Sequence, residues 1–189
     1  MKLVVGLGNP GARYRQTRHN VGYLILSEFV SRYSGCSPKS KFHGDFVDIR
    51  GKNGETIFLL CPTTYMNLSG KSVIEAVRFY KIPLDNVLIV CDDLNLPFAK
   101  LRFRGEGSSG GQKGLADILR VLGTDKVPRL RFGIGEAPAR IDAADYVLMN
   151  FTESERPELL IALKESADAV QHWIDHGIAN AMNKYNGKS

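Results

Sequence analysis

The chain has 189 residues, 43% hydrophobic and 24% charged, with 25 Lys and Arg against 20 Asp and Glu for a net charge of +5. That apolar content excludes disorder for the bulk of the chain, and no window approaches the roughly 18 consecutive apolar residues of a membrane helix. One domain spanning residues 1–189 buries roughly 70% of its unfolded-chain surface and needs no metal or disulfide to hold it. Lys2–Leu7 is a short apolar run ending near glycine and reads as a buried strand. Asn20–Tyr33 carries Val21, Leu24, Ile25 and Phe29 at helical spacing. Asp45–Ile49 and Thr56–Cys61 read as strands flanking the turn Gly51-Lys52-Asn53-Gly54. Leu68–Tyr80 is helical, and Val87–Cys91 is a continuous apolar run, hence an interior strand. Lys100–Arg104 alternates basic and apolar residues, which predicts a strand with one wet, cationic face. A glycine-serine loop, Gly107–Gly114, precedes a helix to about Leu122, and Leu130–Gly135 is a further strand. Thr152 with Glu155 forms a capping-box signal, and a long helix follows to about Gly177. Strands alternating with helices predict an α/β fold: a mixed, mostly parallel β-sheet covered by helices on both faces.

Charge is unevenly distributed. Residues 1–27 hold four basic groups and no acid, and residues 100–140 hold nine basic groups against four acids. Two such regions sharing a face would make a polyanion footprint, which points to nucleic acid; the plain alternative is ordinary solvated surface. The three cysteines, Cys36, Cys61 and Cys91, are odd in number and far apart, as expected of reduced thiols. With too short an apolar run for a signal peptide after Met1, a cytoplasmic location is expected.

The motifs cluster at predicted strand ends. Gly6-Leu7-Gly8-Asn9-Pro10-Gly11 matches a dinucleotide fingerprint, but Pro10 removes a donor and helical periodicity starts only near Asn20. The segment reads better as a loop presenting polar groups, among them Asn9, Tyr14 and His19. Asp92 and Asp93 follow a buried strand, and ligands in α/β sheets bind beyond the carboxyl ends of strands. If the two strands are neighbours, Asn9, His19 and Asp92 converge. A carboxylate bonded to an imidazole fixes its tautomer and prepares it as a general base. The alternatives for the acid pair are a turn or helix cap, and a cation site for which no further acidic cluster exists. Tyr65, Met66 and Asn67 lie past the end of another strand. Gly105–Gly114 allows close approach of a bulky ligand, and Lys113 can meet a phosphate; the alternative is a flexible loop. His172 and His176 stand at i, i+4 without a third ligand nearby and read as a solvated helix face.

Taken in order, these stretches resemble the bacterial-type peptidyl-tRNA hydrolase family. The resemblance rests on Gly6–Gly11 with Tyr14, Thr17-Arg18-His19-Asn20, Thr64–Gly70, Asp92-Asp93-Leu94 with Leu96-Pro97, Gly110-Gly111 with Gly114-Leu115, and Arg129-Leu130-Arg131 with Gly133-Ile134-Gly135. It implies hydrolysis of the ester between a peptide and the 3′ end of tRNA, by a cytoplasmic monomer without metal or cofactor. It also implies roles. His19 is the base that activates water, Asp92 holds it, and Asn9 helps recognise an N-blocked aminoacyl group. Tyr14, Tyr65, Met66 and Asn67 bind substrate, and Arg104 and Arg131 clamp tRNA phosphates. One departure stands out: where the family usually has His-Asn after Gly110-Gly111, this chain has Gln112-Lys113. Lysine accepts no hydrogen bond, so binding there shifts toward charge, and no role is assigned to residue 112. The departure keeps open a rival reading, a catalytically inactive RNA-binding relative. A nicotinamide-dependent oxidoreductase using Gly6–Gly11 is the other rival.

Overall fold

Strands whose side chains are apolar on both faces belong in the middle of a sheet, and here they occupy it. A computed structural model of the protein describes residues 1–51 and 54–187. The strands are β1 (Lys2–Gly6), β2 (Lys39–Lys41), β3 (Gly44–Arg50), β4 (Thr56–Pro62), β5 (Val87–Asp93), β6 (Leu101–Arg104) and β7 (Arg129–Gly133). They form one sheet in the order β2-β3-β4-β1-β5-β7-β6. The central pairings β4–β1, β1–β5 and β5–β7 are parallel. The outer pairings β2–β3, β3–β4 and β6–β7 are antiparallel. The sheet is thus mixed, as the sequence predicts, with parallel pairings making up half rather than most of it. Every residue of β5 is buried, as its apolar run predicts.

Helices cover both faces. They are α1 (Val21–Val30), α2 (Ser69–Tyr80), α3 (Lys113–Leu122), α4 (Ala143–Tyr146) and α5 (Arg156–Tyr185). Strand alternation divides the core in two. Val4, Leu88 and Val90 pack with Ile25, Phe29 and Trp173 of α1 and α5. Leu3, Val5 and Ile89 pack with Val73 and Ile118 of α2 and α3. Each fully buried aliphatic or aromatic side chain contributes roughly 1.5–3 kcal/mol.

Two details position the site. A Cβ on Gly22 would lie 2.4 Å from the Leu7 nitrogen, and one on Gly6 2.5 Å from the Gly22 oxygen. Backbone contact between β1 and α1 therefore requires glycine at both positions and brings the residues before α1 to the end of β1. The glycines serve this packing, and α1 begins ten residues after Gly11. At α5, Thr152 N donates to Glu155 Oε2 at 2.7 Å and Glu155 N to Thr152 Oγ1 at 3.3 Å, forming the predicted capping box. The predicted stop at Gly177 is a break (φ 77°), after which the helix resumes to Tyr185. The Asn186 amide then pairs with both N and O of Phe103, closing the outer edge of β6. The predicted turn residues Lys52 and Asn53 lie outside the described residues.

Candidate active site

The ends of β1, β4, β5 and β7 and the start of α3 surround a cleft of about 780 Å³. It lies beyond the carboxyl ends of the parallel strands, where α/β sheets bind ligands. His19 and Asp92 stand in its wall, 7% and 4% exposed. His19 Nδ1 lies 2.8 Å from Asp92 Oδ2. A carboxylate can only accept there, so Nδ1 carries the proton and the lone pair is on Nε2. Asp92 and Asp93 are the last two residues of β5 rather than a turn after it. Successive strand residues face opposite ways, so the two acids have different partners. Asp93 Oδ2 pairs with Arg131 Nε at 2.8 Å, and its Oδ1 accepts from Asn95 N.

Backbone and side-chain bonds hold His19 in place. His19 N donates to Val147 O at 2.8 Å, and Arg18 N to Met149 O at 2.9 Å. Arg18 grips Glu155 through two hydrogen bonds, 2.9 and 2.8 Å, while its guanidinium stacks 4.5 Å over Tyr146. Burial alone would raise the Glu155 carboxyl, but hydrogen bonds from Arg18 and Thr152 outweigh it and hold the pKa below its ordinary value.

Asn9 is locked on both sides. Its backbone N donates to Asn20 Oδ1 and its O accepts from Asn20 Nδ2, each at 2.9 Å. Its side-chain oxygen accepts from Met66 N at 2.9 Å, which leaves the amide nitrogen as the group available to the cleft. Asn9 and Met66 thus tie the β1 loop to the β4 loop.

The other expected residues divide into two groups. Tyr65, Met66, Asn67, Lys113 and Arg131 line the cleft with Asn9, His19 and Asp92. Tyr14 and Arg104 do not. Tyr14 sits on a 3₁₀ turn, Ala12–Tyr14, against the Arg13 guanidinium. Arg104 is exposed on the edge strand β6. Arg131 lies partly under the glycine loop, where a Cβ on Gly110 would come 2.3 Å from its Nη2. Gln112, given no role from sequence, is buried in the cleft wall and bonded to Asp92 Oδ1 at 3.1 Å. The available signal was its place directly before α3, where a side chain caps a helix. Burial, with Asp92 beside it, pushes the Cys91 thiol far up, so it stays protonated and is no nucleophile. The arrangement therefore offers one oriented imidazole, a supporting carboxylate and an amide donor, in a cleft with cations at its rim.

A family profile described as peptidyl-tRNA hydrolase matches residues 3–189. A peptidyl-tRNA hydrolase of Rhodopirellula baltica is 49% identical over 189 residues, covering 100% of this chain and 99% of that one. One of Chlorobium phaeobacteroides is 42% identical over 191 residues, covering all of both. The crystal structure of peptidyl-tRNA hydrolase from Acinetobacter baumannii superposes with a TM-score of 0.90 at 33% identity, covering 99% of this chain and 95% of that one. The chain belongs to the peptidyl-tRNA hydrolase family.

Proposed function

We propose that this chain hydrolyses the ester joining a peptide to the 3′ oxygen of tRNA. The observation that carries the reading is the His19–Asp92 pair, 2.8 Å apart in the cleft of a chain that belongs to this family. Water held against His19 Nε2 gives up a proton as its oxygen bonds to the ester carbon. The carbon–oxygen bond to the ribose then breaks, and the imidazolium returns the proton to the leaving 3′ oxygen. Asp92 offsets the positive charge on the ring while it exists. The Asn9 amide nitrogen donates toward the carbonyl oxygen, where negative charge develops. An ester is already an activated acyl group, so one base suffices and no covalent nucleophile or metal is needed.

Tyr65, Met66 and Asn67, which line the cleft, receive the peptidyl end, and Tyr14 binds substrate outside the cleft. Lys113, Arg104 and Arg131 hold tRNA phosphates without reading bases. In this reading the chain is a single-domain monomer of the cytoplasm that recycles tRNA and uses no cofactor.

The test compares wild type with His19→Ala on N-acetyl-aminoacyl-tRNA, with free aminoacyl-tRNA as control. Wild type should release only the blocked amino acid, and the variant should lose about 10²–10⁴-fold in rate with tRNA affinity retained. A variant that keeps most of its rate sinks the base assignment. Wild type that binds tRNA and releases nothing identifies an inactive RNA-binding relative, the rival that the Gln112-Lys113 departure keeps open.

A further inference from the structure

The geometry points to Gln112 as a positioning residue for the His19–Asp92 pair, an inference that rests on the hydrolase reading above. Gln112 is 8% exposed and stands at the N-cap of α3. Its Oε1 accepts from Leu115 N at 2.6 Å. A backbone N–H can only donate, so this bond fixes which end of the amide is oxygen. The amide nitrogen is then turned to Asp92 Oδ1 at 3.1 Å, with Met66 Sδ 3.2 Å away. Asp92 is thus held from both sides: His19 takes Oδ2 and Gln112 takes Oδ1. A carboxylate with one partner can rotate about its Cβ–Cγ bond, whereas one with two opposed partners cannot. Gln112 therefore sets the carboxylate plane, which in turn sets the ring that faces the substrate.

The surroundings leave room for this link and for little else. A Cβ on Gly114 would lie 2.4 Å from Met66 Sδ and 3.2 Å from Gln112 Oε1. The start of α3 is thereby coupled to the base through a single amide. An imidazole at this position offers one acceptor and one donor at opposite ends of its ring, the same two functions.

Three substitutions separate positioning from helix capping. Gln112→Glu keeps an acceptor for Leu115 N but replaces the donor to Asp92 with a second carboxylate. Gln112→Met removes both functions at similar size without adding charge. Gln112→His restores both. Each is measured for melting temperature and for kcat and KM on N-acetyl-aminoacyl-tRNA. Gln112→Glu and Gln112→Met should lose about tenfold or more in kcat, with KM within about twofold of wild type. Gln112→His should recover most of that loss. If either Gln112→Glu or Gln112→Met matches wild type in kcat, if the loss lies in KM, or if Gln112→His is as slow as Gln112→Met, the inference is overturned. Should repulsion unfold the Glu variant, the Met and His pair reads the same split. Wild type without hydrolytic activity would instead overturn the hydrolase reading and this inference with it.

Discussion

Asp92 has two oxygens and two opposed partners, and Lys113, one residue beyond Gln112, has no ion pair among the described residues. Lys113 is exposed, is the first residue of α3 and lines the cleft. A cation there opposes the helix dipole, at a cost of roughly 0.3–1 kcal/mol, and no acid occupies the first turn to offset it. Such a position is tolerated best where an anion arrives. Lys113→Asn should therefore stabilise the free protein slightly, weaken tRNA binding, and lower the slope of log affinity against log salt by about 1. An unchanged slope would remove the phosphate contact from the assignment. The residues of the cleft were legible from sequence where they sit at strand ends: Asn9 after β1, Asp92 at the end of β5, and Tyr65–Asn67 after β4. Gln112 was not, because its function depends on an amide orientation that only the Leu115 N–H settles. The separation of Tyr14 and Arg104 from the cleft was hidden for a different reason. Motif order places residues along the chain, but only the strand order tells which loops meet.

Arg18 and Glu155 join the segment before α1 to the start of α5, 137 residues apart in sequence. Arg18 is 3% exposed, so losing its partner leaves a buried, unpaired charge. Glu155→Gln should destabilise the protein by about 3 kcal/mol, the low end for such pairs because Glu155 keeps some contact with water. The pKa of Glu155 is held below its ordinary 4.5, so the stability it contributes is complete above that pH and disappears as pH falls through the folded-state value. Melting curves of wild type and Glu155→Gln should thus differ at pH 7 and converge below about 4.5; a constant difference down to pH 3 would contradict the pairing. At this scale the sequence showed the strongly periodic elements well. It missed β2 because Lys39-Ser40-Lys41 is a short polar edge strand. The turn after it uses Phe42 and His43 at φ 55° and 52°, where hairpin statistics favour Asn and Gly. Packing pays for that conformation: Phe42 sits against Phe46, Phe79 and Tyr80, and the carbonyl of His43 accepts from Thr63. Gly177 does interrupt the helix where the sequence indicates, with non-helical backbone (φ 77°, ψ −179°); the second helical stretch that runs on to Tyr185 is what the sequence did not show.

Across the whole molecule, burial sorts the basic residues that a count of charge lumps together. Lys2 bonds to Asn86 at the far end of β1 from the cleft, Arg18 is spent on Glu155, and Arg129 is 1% exposed. None of these is free to meet a polyanion, so the two basic stretches of sequence overstate the footprint. What remains accessible includes Lys113 at the cleft wall and Arg13 and Arg15 on the loop after β1. Arg102 and Arg104 are likewise exposed, on the edge strand β6. No helix among the described residues is long and apolar enough to cross a membrane. A tRNA much larger than the cleft must bind mainly outside it, through phosphates. Arg104 tests this best, because it is exposed, has no ion pair among the described residues and does not line the cleft. Arg104→Ala should raise KM severalfold, leave kcat within about twofold, and lower the salt slope by about 1, with folding untouched. Replacing Arg129 instead should lower the melting temperature and leave the salt slope alone, since its guanidinium lies inside the fold. An Arg104→Ala enzyme with normal KM at physiological salt would move the tRNA path off β6 and onto the loop of Arg13 and Arg15.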